Sequence, residues 1–271
     1  MHKLTYLRLD ANNFGGEIPA SIFNLTHLTW LSLSSNKLFG RVPSWLFSLP
    51  SLSYLDLQNN RLTGPIDHFE MPNLILQNVY LSNNEISGSI PSSFFDLVHL
   101  TIVNLSSNNL TGTITSDMLS KLVDLEDLDL SNNSLLSLSN NGTAINHSFL
   151  PSLLFLSFSS CNIHKFPSFL RKALMLEVLD ISKNKISSQI YKWEIEGMSL
   201  GTLNLSCNFL TGIDLFGFEN LKTVDLRSNL LQGSLPILST TWDSMRGLFI
   251  SGNNLTGEIP SSYCNFTSLD F

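Results

Sequence analysis

The feature that most limits how this sequence can fold is a leucine phase that returns about every two dozen residues. The segments Leu4-Thr5-Tyr6-Leu7-Arg8-Leu9, Leu28-Thr29-Trp30-Leu31-Ser32-Leu33 and Leu52-Ser53-Tyr54-Leu55-Asp56-Leu57 lie 24 residues apart. The phase restarts at Leu76, Leu100, Leu125, Leu153, Leu176, Leu200, Leu221, Met245 and Leu269, with spacings of 21 to 28 residues. A unit this short cannot bury its own apolar face, so units must stack into a solenoid. The sequence predicts one domain over residues 1–271, with about eleven repeats and the start of a twelfth. No domain boundary is expected.

Within each repeat the L-x-L step reads as a short strand. Alternate side chains then point apart, which sends the fourth and sixth repeat positions inward and the fifth and seventh to solvent. Stacking makes the strands one parallel sheet. Three residues after the second strand leucine comes Asn12, Asn36, Asn60, Asn84, Asn108, Asn133, Asn184, Asn208, Asn229 or Asn253, with Cys161 once in their place. A buried amide recurring in one slot needs partners, and the turn offers backbone N–H and C=O groups. The expectation is an asparagine ladder closing the turns.

Composition removes several function classes. Hydrophobic residues make up 43% and charged residues 14%, and a net charge of −7 with 15 scattered Lys and Arg gives no basic footprint. Nucleic acid and anionic membrane are therefore unsuitable partners. No run reaches the roughly 18 apolar residues of a bilayer span. Cys161, Cys207 and Cys264 have no CxxC spacing. His2, His27, His68, His99, His147 and His164 form no HExxH, and there is no Walker loop or kinase signature. The chain reads as a non-enzyme, with no cofactor or metal site.

After the ladder, Phe14-Gly15-Gly16-Glu17-Ile18-Pro19, Leu38-Phe39-Gly40-Arg41-Val42-Pro43, Ile86-Ser87-Gly88-Ser89-Ile90-Pro91 and Leu255-Thr256-Gly257-Glu258-Ile259-Pro260 share a GxIP element. This consensus resembles the plant-type leucine-rich repeat. The resemblance implies an α/β repeat solenoid, a superhelix with a parallel concave β-sheet, a second short strand beside it, and mostly loops and 3-10 turns on the convex side. Ser159-Ser160-Cys161-Asn162-Ile163 with Phe166-Pro167-Ser168-Phe169-Leu170-Arg171, Leu179 to Ile186, and Gly257 to Asn265 resemble plant receptor-like proteins of the tomato Cf-type resistance class. Such proteins are similar in plan: a secreted ectodomain, one membrane span, a short tail and no kinase. The resemblance places the chain on the extracellular side of the plasma membrane, with a peptide or protein ligand and a partner receptor kinase in plant defence or peptide perception. Membrane attachment is expected only through segments absent from this sequence. The alternative is a secreted repeat protein similar to polygalacturonase inhibitors, or a structural wall protein of the same repeat type.

On the concave face the candidate ligand residues are Tyr6, Arg8, Trp30, Tyr54 and Tyr80. Exposed aromatics suit a peptide or protein partner, although the same rings could pack on one another as cross-strand neighbours. Glu126, Asp127, Asp129, Glu177 and Asp180 make one stretch acidic. Asp127 and Asp129 are candidate contacts, whereas Asp56, Asp129, Asp180 and Asp225 occupy a position where the family consensus prefers Asp, which gives them a scaffold reading too. Asn-x-Ser/Thr sequons mark Asn24, Asn104, Asn109, Asn132, Asn141, Asn146, Asn204, Asn254 and Asn265 as glycosylation candidates. Glycans on Asn104 and Asn204 would stand on the concave sheet. Cys161 and Cys207 read as free buried thiols, and Cys264 resembles a family cysteine paired about one repeat downstream. The repeat from Leu125 to Pro151 loses its GxIP element to Leu135-Leu136-Ser137-Leu138-Ser139-Asn140-Asn141-Gly142-Thr143, and its four extra residues are expected to loop out on the convex or lateral side.

The chain opens and closes in mid-repeat, without the cysteine-paired caps of the family. Uncapped ends expose apolar interior. The 271 residues expressed alone are expected to aggregate, and a monomer with a cooperative melt by sedimentation and calorimetry would contradict this.

Overall fold

A computed structural model describes residues 3–139, 150–191, 197–213, 221–235 and 244–265. Three-residue strands at Tyr6–Arg8, Trp30–Ser32, Tyr54–Asp56, Asn78–Tyr80, Ile102–Asn104, Asp127–Asp129, Phe155–Ser157, Val178–Asp180, Thr202–Asn204, Thr223–Asp225 and Gly247–Phe249 form one 11-stranded parallel sheet in chain order. Pairing is in register throughout, Leu7 opposite Leu31, Leu31 opposite Leu55 and so on to Leu248. The leucine phase therefore fixes both the strands and their alignment.

Beside it runs a second parallel sheet of six short strands, from Gly15–Gly16 to Leu135–Ser139, and two further pairs join Gln189–Ile190 to Gly212–Ile213 and Gln232–Gly233 to Asn254–Leu255. Its glycines have a backbone reason. Gly88 has φ +79°, and a Cβ there would lie 3.2 Å from Pro65 Cβ. A side chain would be strained by the left-handed backbone and crowded by the preceding repeat. The convex side carries 3-10 turns such as Ala20–Asn24, Ser44–Ser48, Ser92–Asp96 and Ser168–Lys172, and one α-helical turn, Ser116–Leu119.

Between the layers lies a continuous apolar core. The fourth and sixth positions are buried through most of the solenoid, as with Leu31 and Leu33, Leu55 and Leu57, Leu179 and Ile181. Phe47 is buried against Phe69 and Phe94, at ring separations of 5.1 and 5.8 Å.

The asparagine ladder is present. In Asn84 the side-chain Nδ2 donates to Leu57 O at 3.0 Å, Leu81 O at 3.0 Å and Ser82 O at 3.3 Å, and its Oδ1 accepts from Leu62 N at 3.0 Å. Two of these partners belong to the preceding repeat. Asn36, Asn60, Asn108, Asn133, Asn184, Asn208, Asn229 and Asn253 repeat the pattern. The residue before each ladder position takes a left-handed backbone, for example Ser35 at φ +53°, Asn83 at +53° and Cys207 at +55°. Small or amide side chains tolerate that conformation best, which explains the Ser and Asn there.

Three expectations need correction or refinement. Cys207 is exposed, because it occupies the left-handed turn slot and not the ladder slot beside it; Cys161 is buried as expected. The fifth and seventh positions face the concave side but are not freely solvated: Ser32, Asp56, Ser157 and Asp225 at the fifth, and Ser34, Ser82 and Ser182 at the seventh, are buried. Strands packed roughly 4.8 Å apart leave short side chains covered by their neighbours. The segment that replaces the GxIP element does not wholly loop out, since Leu135–Ser139 pairs with Thr111–Thr115 as the edge of the second sheet. The rest of that insertion lies outside the described residues.

Replacing Asn133, which is fully buried, by Ala strips Leu110 N of its acceptor and three carbonyls of a donor. The expected loss is about 2–4 kcal/mol in urea denaturation, against about 1 kcal/mol or less for Cys161→Ala, whose thiol is a weaker donor.

Candidate functional site

The concave sheet presents two columns of side chains, the third and fifth repeat positions. Tyr6, Trp30 and Tyr54 follow one another down the third-position column, and Asp127 lies further along it between Ile102 and Phe155. Arg8, Tyr80 and Asp129 belong to the fifth-position column. All seven candidate ligand residues therefore share one face. The structure brings Trp30, Tyr54 and Tyr80 into direct contact and leaves Asp127 and Asp129 two strands beyond Tyr80.

The rings do pack as cross-strand neighbours. Trp30 and Tyr54 stack with centroids 3.5 Å apart and planes 7° apart, and Tyr54 meets Tyr80 at 5.4 Å and 43°. Such pairs contribute about 0.5–1.5 kcal/mol each beyond their buried area. The three are half-buried, and only Tyr6 is well exposed, at 64%. Trp30 Nε1 is a buried donor without a partner among the described residues. Under this shelf Asp56 accepts from Gln58 N at 3.1 Å and Ser32 Oγ at 3.3 Å. Burial pushes the Asp56 carboxyl up despite these bonds, and burial together with Asp56 and Tyr80 pushes the Tyr54 phenol up to about 12. Tyr54 is thus a neutral hydrogen-bonding group at any physiological pH.

Most concave carboxylates and amides are occupied by the scaffold. Asp56, Asn104, Asp129, Asp180, Asn204 and Asp225 each accept, through Oδ1, the backbone N–H two residues ahead, at 2.9 to 3.1 Å. These local bonds cap the strand exits. Asp127 differs. Its side chain makes no hydrogen bond or ion pair among the described residues, and burial first, then Asp129, pushes its carboxyl up. Glu126 and Glu177 are exposed nearby. Arg8 pairs with Asp10, with Nε 3.4 Å from Oδ1.

Sequence reasoning missed the far end of the face. Arg227 forks onto Asp225 and lies 5.2 Å from the Phe249 ring. The signal was there: Asp225 and Arg227 sit at positions five and seven of one repeat, where side chains share a face. Ile102 and Phe155 were also missed, and reading the third position down every repeat would have found them.

Among the sequons, Asn24, Asn109, Asn132 and Asn254 are exposed. Asn104 and Asn204 are half-buried on the concave face, and Asn204 Nδ2 also donates to Asp180 Oδ2 at 3.1 Å. Asn141, Asn146 and the side chains of Asn265 and Cys264 lie outside the described residues. Burial pushes the Cys161 thiol up to about 11, so it stays protonated and donates to Leu130 O at 3.3 Å.

The fold has counterparts among known proteins. A family model described as Leucine rich repeat matches residues 2–62 and 75–135, and a second of the same description matches 199–221 and 244–266. The chain belongs to the leucine-rich-repeat family. Its sequence likeness within that family is to plant receptor-like proteins. Receptor-like protein 7 of Arabidopsis thaliana is 40% identical over 132 residues, covering 47% of this chain and 13% of that protein. Receptor like protein 23 of the same plant is 32% identical over 157 residues, covering 56% and 17%. The matches thus span less than a fifth of those relatives' own lengths. A solved TDR receptor covers 99% of this chain with a TM-score of 0.76 at 23% identity, over 50% of its own length. The Arabidopsis receptor kinase HAESA, solved with the peptide hormone IDA and the co-receptor SERK1, covers 100% with a TM-score of 0.63 at 25% identity, over 53% of its own length.

Since the folded-state pKa of Asp127 is raised, its stabilising share is present below the ordinary carboxylate value and is lost as pH rises through the raised one. Asp127→Asn is therefore expected to raise the thermal midpoint at pH 7, with the gain vanishing near pH 3.5. Melting curves at the two pH values check this.

Proposed function

We propose that this chain is the ligand-recognition part of a plant cell-surface receptor-like protein of the Cf-type class, acting in defence or peptide perception and signalling through a partner receptor kinase. The observation that carries the reading is the stacked Trp30–Tyr54–Tyr80 shelf on the concave sheet of a chain whose likeness is to receptor-like proteins. Half-buried aromatics held rigid by their neighbours offer contact area at little cost in side-chain entropy, the character of binding hot spots. HAESA, of similar fold, was solved with a peptide hormone and a co-receptor, and the proposal extends that mode of use to this chain. No helix among the described residues is long and apolar enough to cross a membrane, so the proposed site on the extracellular side of the plasma membrane needs an anchor outside them.

A non-enzymatic role suits the same face. The concave carboxylates at the fifth position are spent on capping backbone N–H groups, and two carboxyls on an open sheet lack the enclosed cleft that acid–base hydrolysis requires. Glycosylation of the exposed Asn24, Asn109, Asn132 and Asn254 would leave the aromatic shelf clear.

Trp30→Ala and Tyr54→Ala in the intact receptor are expected to weaken the ligand response about tenfold or more while surface expression stays the same. Dose–response curves beside surface labelling decide it, and an unchanged response removes the shelf from the binding site.

A further inference from the structure

Resting on the concave-face reading, we infer that the ligand is an extended basic peptide whose apolar end lies on Trp30 and Tyr54 and whose Lys or Arg, five or six residues away, seats on Asp127. Four observations support the choice of occupant. Asp127 lacks the bond to a backbone N–H two residues ahead that occupies Asp56, Asp129, Asp180 and Asp225. Among the described residues it is the concave-column carboxylate left free for a cation. Ile102 and Phe155 stand beside it in register on both sides, and apolar walls strengthen the pull of a carboxylate on a desolvated ammonium or guanidinium. Glu126 and Glu177 lie exposed in the same stretch, which favours approach of positive charge. Finally, from the Trp30–Ser32 strand to the Thr202–Asn204 strand neither the third nor the fifth position holds a Lys or Arg, so the sheet itself supplies no counter-charge there.

The length follows from the strand count. Trp30 and Asp127 are four strands apart in the sheet order. At roughly 4.8 Å per strand that is about 19 Å, the span of five to six residues of extended peptide at roughly 3.4 Å each. An acidic or phosphorylated peptide would be repelled by Asp127, Glu126 and Glu177.

The test is a panel of synthetic nonapeptides presented to the intact receptor, each with Leu-Pro at the amino end and a single Lys, or in a matched set a single Glu, stepped through the remaining positions in an otherwise Ser/Gly background. Binding is read by fluorescence anisotropy. Tightest binding is expected with Lys five or six residues from the Leu. Asp127→Asn should weaken that peptide about tenfold and flatten the positional preference, with the melting curve showing a folded protein. Asp127→Lys should move the preference to Glu at the same position. Binding that depends on Trp30 but ignores the Lys position overturns this inference and leaves the concave-face reading standing. Absence of binding by every peptide overturns both, and a preference for Glu with the wild-type chain overturns the charge assignment.

Discussion

The repeated turn after each concave strand has buried carbonyls to satisfy and too few backbone donors to do it. One amide nitrogen serves three of them, two in its own turn and one in the repeat before, while its oxygen takes an N–H of that same earlier repeat. Asn supplies two donors and an acceptor within one short side chain, a set that no other residue of its size carries. Asn12 shows what happens at the margin. With no described repeat ahead of it, its Nδ2 bonds only Leu9 O and Asp10 O. Each repeat is thus completed by the next, which makes stability depend on neighbours.

The same closure decides which concave residues are free to recognise anything. Because the turn begins at once after the three-residue strand, its second N–H points back toward the fifth-position side chain, and an Asp or Asn there caps it. Six such residues are committed in this way. Tyr80 and Phe249 at the fifth position have no such oxygen and are exceptions to that pattern. Variation available for ligands therefore concentrates in the third-position column, where Trp30, Tyr54 and Asp127 stand, and in the few fifth positions that have given up the cap.

Much of this was legible in the sequence because period and chemistry coincide: Leu at fixed phase gives the strands and register, and Asn at one offset gives the ladder. The second sheet was implied by the resemblance that the GxIP element carries, and Gly40 and Gly88 in that element take the positive φ that favours glycine. What escaped was set by neighbours across strands. Ser32 and Asp56 are buried because close-set neighbouring strands cover short side chains, a cross-strand effect that one sequence does not display. Cys207 was misread because one residue separates the buried ladder slot from the exposed left-handed slot, and only the backbone tells them apart. The seven candidate contacts fell on one face, but their division into a packed shelf and an isolated Asp127 required coordinates.

Cys161 tests the account of the ladder by departing from it. A protonated thiol can donate, to Leu130 O, but it is a poor acceptor, so the N–H that the ladder asparagines from Asn36 onward receive from the repeat before needs another partner. That N–H belongs here to Leu136. In neighbouring repeats the equivalent residue lies two positions after the ladder Asn, as Leu110 follows Asn108 and Ile163 follows Cys161. After Asn133 it lies three positions on, and the extra residue lets Leu136 N turn back onto Asn133 O at 2.9 Å. The acceptor duty of the slot has been removed upstream, in the same repeat that lost its GxIP element. Cys161 is tolerated because the preceding repeat satisfies itself, so the two irregularities form one compensated change, and restoring Asn at 161 alone would bring back an acceptor that Leu136 N–H, turned onto Asn133 O, no longer meets.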